Sequence, residues 1–266
     1  MVDPGLLEPY QTIPAFKRSL RLVLRRPSVF VVFIALGAIP VAAFFMLGLD
    51  ELFDMLSTLS VDRPLLPLEQ EQLRAFITPF LILFGIAFAA YALSIWIAVY
   101  AYTLDGVGYA APYSKVIGDV LRSLPALVVA CVLATLAVSL GTLLLIVPGV
   151  ILMLVFWLVI PCAVVERVGP ITALKRSAEL TRGCRGQILA VMVLQWVVSA
   201  IASVAISAVF FPTIADQMLN SATDNSGMIL AGNLLSVGFN IFFTAWFCAA
   251  VAYTYGNLRT LKEGPP

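Results

Sequence analysis

Charged residues are missing from five long stretches of the chain. These stretches are predominantly apolar and cover residues 27–49, 75–104, 123–165, 186–215 and 225–258. A helix needs about 20 apolar residues to cross a hydrocarbon core of about 30 Å. Four stretches are long enough for one crossing each, and the third is long enough for two.

A corner is expected inside the third stretch, at Val147-Pro148-Gly149-Val150. Proline has a fixed φ and glycine has a permissive backbone, so this pair favours a tight helical hairpin. The pattern therefore predicts six membrane-spanning helices, which we number as spans 1 to 6. They lie near residues 28–48, 76–103, 124–146, 150–165, 187–211 and 228–255.

Composition agrees with a membrane protein and excludes a water-soluble one. Of the 266 residues, 61% are hydrophobic and only 12% are charged, with a mean hydropathy of +1.01. Lipid offers no hydrogen-bonding partner to an open backbone, so the spans must be helices or a closed barrel. A barrel would show alternating polarity, which these stretches lack. The expected fold class is all-α, a polytopic membrane helical bundle.

Basic residues predict the orientation of this bundle. Fourteen of the sixteen Lys and Arg residues lie in the N-terminal segment, the loops after spans 2 and 4, and the C-terminal tail. Loops rich in Lys and Arg stay in the cytoplasm. We therefore expect a multi-pass protein of the bacterial cytoplasmic membrane with both termini inside. Its parts would be a cytoplasmic segment (1–27), a membrane domain (28–256) and a cytoplasmic tail (257–266).

Short basic amphipathic stretches precede spans 1, 3 and 5. Two of them match closely, Ala15-Phe16-Lys17-Arg18-Ser19 and Ala173-Leu174-Lys175-Arg176-Ser177, and the third covers 114–122. Such stretches can form helices that lie at the membrane surface. They suggest three repeated units near 12–103, 113–165 and 171–256. Alternatively, the similarity reflects only the basic loops that any multi-spanning protein places before its outward-going helices.

Uncharged polar and small residues recur every fourth position in spans 5 and 6. Small side chains on such a row let helices approach closely, and polar ones can hydrogen-bond between helices. Packing is one interpretation of the rows, and a polar cavity lined by Gln195, Asn233 and Asn240 is the other. The row residues are Gln195, Ser199, Ser203 and Ser207 in span 5 and Gly232, Ser236, Asn240, Thr244, Cys248, Ala252 and Gly256 in span 6, with Asn233 beside Gly232.

The stretch from Pro148 to Gly183 carries the most specific motif. Pro161 is expected to kink span 4 before the acidic Glu166. Pro170 suits the first turn of a short cytoplasmic helix, and Gly183 suits its C-terminal cap. The motif positions are Pro148, Gly149, Pro161, Glu166, Ala173, Lys175, Arg176, Ser177, Leu180, Arg182 and Gly183.

This motif resembles the membrane domain of glycerophosphoryl diester phosphodiesterases and of related bacterial six-helix membrane proteins. The matching positions are the PG pair at 148–149, Pro161, Glu166 and the A-x-x-x-S-x-x-L-x-x-G pattern from Ala173 to Gly183. The catalytic barrel of those phosphodiesterases has no counterpart in this sequence. The resemblance therefore implies a stand-alone membrane module without the esterase activity.

Candidate chemistry is sparse, which favours a non-enzymatic role. The sequence has no histidine, and its net charge of +1 does not favour nucleic acid. No cofactor or metal motif is found. We expect a membrane module that organises lipid or a protein partner at its cytoplasmic face, and the alternative is a small permease or lipid-translocating protein. The basic residues expected to act are Lys17, Arg18, Arg21, Arg25, Arg26, Lys175, Arg176 and Arg182.

Overall fold

Helices form all the regular secondary structure in the part of the chain that the structure describes. A computed structural model describes residues 10–46, 67–109, 111–219 and 226–264. The all-α prediction is confirmed for these residues. The helices are α1 (Thr12–Arg25), α2 (Ser28–Met46), α3 (Pro67–Gly106), α4 (Tyr113–Leu144), α5 (Ile146–Val155), α6 (Val159–Val165), α7 (Pro170–Thr181), α8 (Arg185–Leu219) and α9 (Ser226–Glu263).

The chain divides into two compact units. The smaller unit covers Phe30–Ile95 and so holds most of α2 and the first part of α3. The larger unit combines residues 1–29 with 96–266. Every tertiary contact considered below lies within the larger unit.

Within the part of the chain that the structure describes, five segments are long and apolar enough to cross a membrane, which supports a multi-pass membrane protein. They are Leu73–Gly106, Tyr113–Leu144, Ile146–Val165, Arg185–Phe210 and Leu234–Glu263. They correspond to predicted spans 2 to 6. The described apolar part of α2 is shorter, Ser28–Gly37, so the first of the six crossings stays a prediction.

The hairpin of α4 and α5 turns earlier than the proline–glycine pair suggested. Leu145 alone connects the two helices, with an extended backbone (φ −161°, ψ 143°). The predicted corner at 147–150 is therefore wrong by a few residues. Pro148 instead lies in the first turn of α5, where its missing N–H has no helical acceptor to lose.

Span 4 is broken rather than continuous. Residues 156–158 form a turn between α5 and α6, whereas the sequence predicted a kink at Pro161. Proline disrupts the helical turn before it, since its ring meets the carbonyl four residues earlier. That carbonyl belongs to Trp157, so the break lies where Pro161 acts.

The three basic stretches do not form three separate helices. α1 ends at Arg25, and the next residue, Arg26, has a non-helical backbone (φ −127°, ψ 69°). Arg26 precedes Pro27, and the helical conformation is disfavoured for a residue before proline. α7 ends before Gly183, which has φ +91°. Residues 113–122, by contrast, run continuously into α4, so the predicted separate helix before span 3 is wrong. Gly118 and Pro125 both lie inside α4 without ending it.

The predicted cytoplasmic tail is largely helical. α9 continues to Glu263, eight residues past the predicted end of span 6. Charged residues end a membrane crossing but do not end a helix, and Arg259 and Glu263 are paired one turn apart with Nε–Oε2 at 3.3 Å. This extension brings charged groups of α9 to α7.

Candidate functional site

The four basic segments of the larger unit meet at one end of the helices, which we call the basic end. Tyr10 Oη lies 3.0 Å from Thr254 Oγ1 of α9, and Lys262 Nζ donates to the Glu179 carbonyl of α7. Arg26 Nη1 lies 3.0 Å from Asp105 Oδ1 at the end of α3. The end is thus held together by contacts between segments far apart in the sequence.

α7 carries the second half of the motif, and its local structure follows from its residues. Pro170 occupies the first turn, as predicted, and Gly183 adopts the positive φ expected after a helix C-cap. One face of the helix is completely buried. The buried residues of this face are Ala173, Ser177, Leu180 and Thr181.

Ser177 provides hydrogen-bonding partners for the backbone at the break in span 4. Its hydroxyl donates to the Val155 carbonyl at 2.7 Å and accepts from the Leu158 N–H at 3.1 Å. Both backbone groups lie beside the turn at 156–158 and would otherwise lack these partners. The serine of the motif therefore completes the hydrogen bonding of a discontinuous membrane helix.

Arg176 and Glu166 form the centre of an ion-pair cluster. The Arg176 Nε lies 3.1 Å from Glu166 Oε2, and Tyr255 Oη donates to Glu166 Oε1 at 3.0 Å. Arg176 also pairs with Glu263, and Arg259 Nη1 donates to Tyr255 Oη at 3.3 Å. This cluster joins the ends of α6, α7 and α9.

α1 packs on α9 through the arginine and serine that correspond to Arg176 and Ser177 of α7. The Arg18 Nη1 donates to Tyr253 Oη at 3.0 Å, and the Trp246 Nε1–H donates to Ser19 Oγ at 2.9 Å. The Phe16 and Trp246 rings meet edge-to-face at 4.6 Å. Burial of Tyr10 beside Thr254 raises its pKa to about 12, although the hydrogen bond to Thr254 opposes the shift.

The start of α4 shows the same burial pattern with different chemistry. Val116 and Val120 are fully buried, four residues apart, as Ala15 and Ser19 are in α1. Asp119 accepts from Tyr100 Oη at 3.1 Å and pairs with Arg167 Nη2 at 2.9 Å. Each of the three predicted repeat stretches therefore has two buried residues four positions apart. In the stretch at 114–122 this pair lies inside a helix that continues into span 3, whereas α1 and α7 end before the spans that follow them.

Comparison of the chain with protein-family models, curated proteins and solved structures gave no match. The site is therefore interpreted from its own geometry. Among the described residues, no group of three or more Cys, Asp and Glu side chains is arranged to hold a metal ion.

The basic residues of the site fall into two classes. Arg18, Arg26 and Arg176 make the internal contacts described above, and Arg26 also donates to the Ala101 and Ala111 carbonyls. Sequence alone did not separate these from the others. The exposed class comprises Lys17, Arg21, Arg25, Lys175 and Arg182.

The exposed basic residues of α1 border an apolar stripe. Ile13 and Leu24 are 64% and 67% exposed, and Lys17 and Arg21 follow Ile13 at steps of four residues. Residues spaced this way share one side of a helix. α1 thus buries one apolar face on α9 and presents a second, flanked by cations.

A cavity of about 230 Å³ opens at the basic end. Its wall includes Thr103 and Val107 from α3 and its C-terminal turn, Val165 of α6, and Tyr255 and Arg259 of α9. The Thr103 hydroxyl donates to the Val99 carbonyl, and Arg259 is paired with Glu263. These polar groups therefore already have protein partners.

The predicted polar rows of spans 5 and 6 do not line one surface. Gln195 is buried and its Nε2 lies 3.4 Å from the Trp246 carbonyl, whereas Asn240 is exposed and donates to Ser236 of its own helix. Ser203 and Ser207 are also exposed, while Ser199 and Thr244 are half-buried. The side chain of Asn233 lies outside what the structure describes.

Close helix contact is shown at one point of these rows. Gly232 is buried, and a Cβ there would lie 2.7 Å from Phe210 Cδ1 of α8. Gly232 and Gln195 thus lie where α8 and α9 approach each other, and the exposed row members point elsewhere. Among the described residues of these rows, Ala252 and Gly256 line the cavity at the basic end, and none of the polar side chains does.

Sequence reasoning missed the residues that receive the motif side chains. Tyr253, Tyr255 and Trp246 lie in or near span 6 and carry a hydroxyl or an indole N–H. Aromatic residues with a polar tip are common at membrane interfaces. Their position toward the end of a predicted span was therefore the available indication.

Proposed function

We propose that the protein is a non-enzymatic module of the bacterial cytoplasmic membrane that binds anionic lipid headgroups at its basic end. The supporting observation is the outward face of α1, where exposed Ile13 and Leu24 run beside exposed Lys17 and Arg21. An apolar stripe flanked by cations suits the boundary between acyl chains and anionic headgroups. α1 would lie there as an interfacial helix while its other face stays on α9.

The proposed orientation places both termini and the basic end in the cytoplasm. The excess of Lys and Arg in the segments that meet there supports this orientation. A fluorescent reporter that folds only in the cytoplasm should be active at either terminus, and alkaline phosphatase fused at the same positions should be inactive. Active phosphatase at either end would overturn the orientation.

Neutralising the exposed cations of α1 tests the lipid proposal. Each basic residue near an anionic surface contributes about 1 kcal/mol, so the K17Q/R21Q/R25Q variant should bind anionic lipid up to about 100-fold more weakly. Binding of phosphatidylglycerol and of phosphatidylcholine to the purified protein can be measured by native mass spectrometry. The wild-type protein should prefer phosphatidylglycerol, and the variant should lose the preference.

A matched variant separates charge from side-chain identity. The K17R/R21K/R25K variant retains all three charges, and it should keep the preference for phosphatidylglycerol. I13S/L24S retains the charges but loses the apolar stripe, and it should bind both lipids more weakly. An undiminished preference in K17Q/R21Q/R25Q would refute the proposal.

The motif from Pro148 to Gly183 supports a proposed relationship to the membrane domain of glycerophosphoryl diester phosphodiesterases. Its residues act together in this chain, because Ser177 and Arg176 join α7 to the broken span. We propose that the motif serves folding of such membrane domains. A permease role is not favoured, because Gln195 and Asn240 bond to their own or neighbouring helices.

A further inference from the structure

The turn between α4 and α5 is an exposed surface built only from apolar residues. Its five consecutive residues, Leu143–Val147, are each between 68% and 84% exposed. Monomeric water-soluble proteins rarely expose such a contiguous apolar patch. The turn lies at the end of the hairpin opposite Glu166, and thus opposite the basic end.

The backbone of the turn keeps much of its hydrogen bonding internal. The Leu145 N–H donates to the Gly141 carbonyl at 3.0 Å, and the Gly149 N–H donates to the Leu145 carbonyl at 3.4 Å. Pro148 has no N–H to satisfy, and Thr142 Oγ1 donates to the Val138 carbonyl at 2.9 Å. These bonds reduce the number of backbone groups that the two helix ends leave unpaired.

Two glycines make so short a connection possible. A Cβ on Gly149 would lie 2.1 Å from Thr142 Oγ1 and 2.8 Å from Thr142 Cα. A Cβ on Gly141 would lie 3.2 Å from the Gly149 Cα. The helices therefore touch backbone to backbone, and a single residue joins them without a polar loop.

The second arm of the hairpin is about as long as the hydrocarbon core of a bilayer is thick. Ile146–Val165 contains 20 residues, which as a continuous helix would rise about 30 Å, the thickness of a hydrocarbon core. The break at 156–158 replaces part of that helix. The nearest charged residues in the sequence are Arg122 on one side and Glu166 on the other. No residue of the turn itself provides a group that favours water.

We propose that Leu143–Val147 is a membrane anchor that remains among the phospholipid acyl chains of the leaflet opposite the basic end. The hairpin would then cross to the far boundary of the hydrocarbon without entering the aqueous phase. The occupant of this surface is hydrocarbon, since the patch joins two helices of spanning length and carries no charged or polar side chain. The inference does not depend on which side of the membrane the basic end faces.

Collision rates of spin labels test the proposal in the full-length protein reconstituted in phosphatidylglycerol–phosphatidylcholine vesicles. Cys131 and Cys184 are first replaced by alanine and serine, while the buried Cys162 and Cys248 are retained. Single cysteines at Leu143 or Ile146 then carry the nitroxide. Both side chains point outward, so the label should not disturb packing.

Two reference positions calibrate the measurement. Leu136 is exposed one to two turns earlier on α4 and should report hydrocarbon, and Ser114 is exposed at the start of α4 and should report water. Labels at Leu143 and Ile146 should collide frequently with oxygen and rarely with a water-soluble nickel complex, as the label at Leu136 does.

Each other result would overturn the proposal. Frequent collision with nickel, as at Ser114, would place the turn in water. Rare collision with both reagents would mean that protein covers the turn, as in an assembly with a second copy. Thermal unfolding of each labelled protein, compared with the unlabelled background, shows whether the labelled chain remains folded.

Discussion

α1 and α7 are built from nearly the same sequence but do different work. Residues 13–22 and 171–180 agree at six of ten positions, including the Lys-Arg-Ser triplet. In both helices the alanine and serine are buried, the isoleucine and lysine are exposed, and the arginine points to another helix. The backbone placement of the motif is therefore shared.

The two helices differ in what their arginine and serine meet. Arg176 binds a carboxylate, Glu166, whereas Arg18 binds a tyrosine hydroxyl, that of Tyr253. Ser177 bonds to two backbone groups at a helix break, whereas Ser19 donates to the Phe16 carbonyl of its own helix and accepts from the indole of Trp246. The shared pattern thus anchors α7 within the bundle. In α1 the same pattern attaches one face of the helix to α9 and leaves the opposite face exposed.

The largest expected difference in stability between the two helices comes from removing the partner of each arginine. Losing one member of a buried ion pair is costly, and for the partly buried Arg176 and Glu166 we expect Glu166→Ala to lower the free energy of unfolding by about 2–3 kcal/mol. Tyr253→Phe removes one hydrogen bond and should cost about 1 kcal/mol. Unfolding in mixed detergent micelles measures both.

The Glu166→Gln variant is the control for the first prediction. Its amide oxygen can still accept a hydrogen bond, so it should be less destabilised than Glu166→Ala. Equal losses of unfolding free energy for Glu166→Ala and Tyr253→Phe would show that the carboxylate partner stabilises α7 no more than the hydroxyl partner stabilises α1.

Removing each serine hydroxyl sharpens the comparison at a smaller scale. Ser177→Ala leaves the Leu158 N–H and the Val155 carbonyl without this partner, and we expect a loss of about 2 kcal/mol. Ser19→Ala leaves the Trp246 indole N–H without this partner and removes a bond to the Phe16 carbonyl of the same helix. Because only the indole N–H belongs to another helix, we expect a smaller loss of about 1 kcal/mol. Hydrogen exchange at the Leu158 amide should accelerate in Ser177→Ala and remain unchanged in Ser19→Ala.

Unchanged exchange at Leu158 in Ser177→Ala would contradict the role of Ser177 in repairing the break. The Thr181→Ala variant is a useful control on the same helix, because Thr181 Oγ1 donates to the Ser177 carbonyl within α7. It should leave the exchange at Leu158 as in the wild type.

The sequence was sufficient for features that depend on local chemistry. Helical class follows from uncharged stretches of spanning length, and the ends of α7 follow from Pro170 and Gly183. Separate docking of α1 could not be predicted, because Tyr253 and Trp246 lie more than 200 residues away from Arg18 and Ser19. Amphipathic periodicity gives the faces of a helix but not what each face meets.

The role of Gly149 shows the same limit. Its pairing with Pro148 suggested backbone freedom at a corner, yet it lies inside α5 and is needed for space against Thr142. A glycine required for close approach and a glycine required for an unusual φ look alike in one sequence. Only the position of the facing helix distinguishes them.

Titration of Tyr10 gives the smallest expected effect and reports on the docking of α1 alone. The pKa of Tyr10 is raised to about 12 by burial, so its phenol ionises later in the folded than in the unfolded protein. Stability from this contact is complete below pH 10 and should be lost as the pH rises from 10 to 12. The absorbance of tyrosinate, recorded for the wild type minus Tyr10→Phe, isolates one of eight tyrosines.

The Thr254→Val variant is the control for the titration of Tyr10. It removes the hydroxyl that contacts Tyr10 while keeping a similar volume, and Tyr10 should still ionise above pH 10 because burial is the main cause of its raised pKa. A difference spectrum with its midpoint near pH 10 would mean that Tyr10 is open to water, and that α1 is attached to α9 less firmly than α7 is to its own partners.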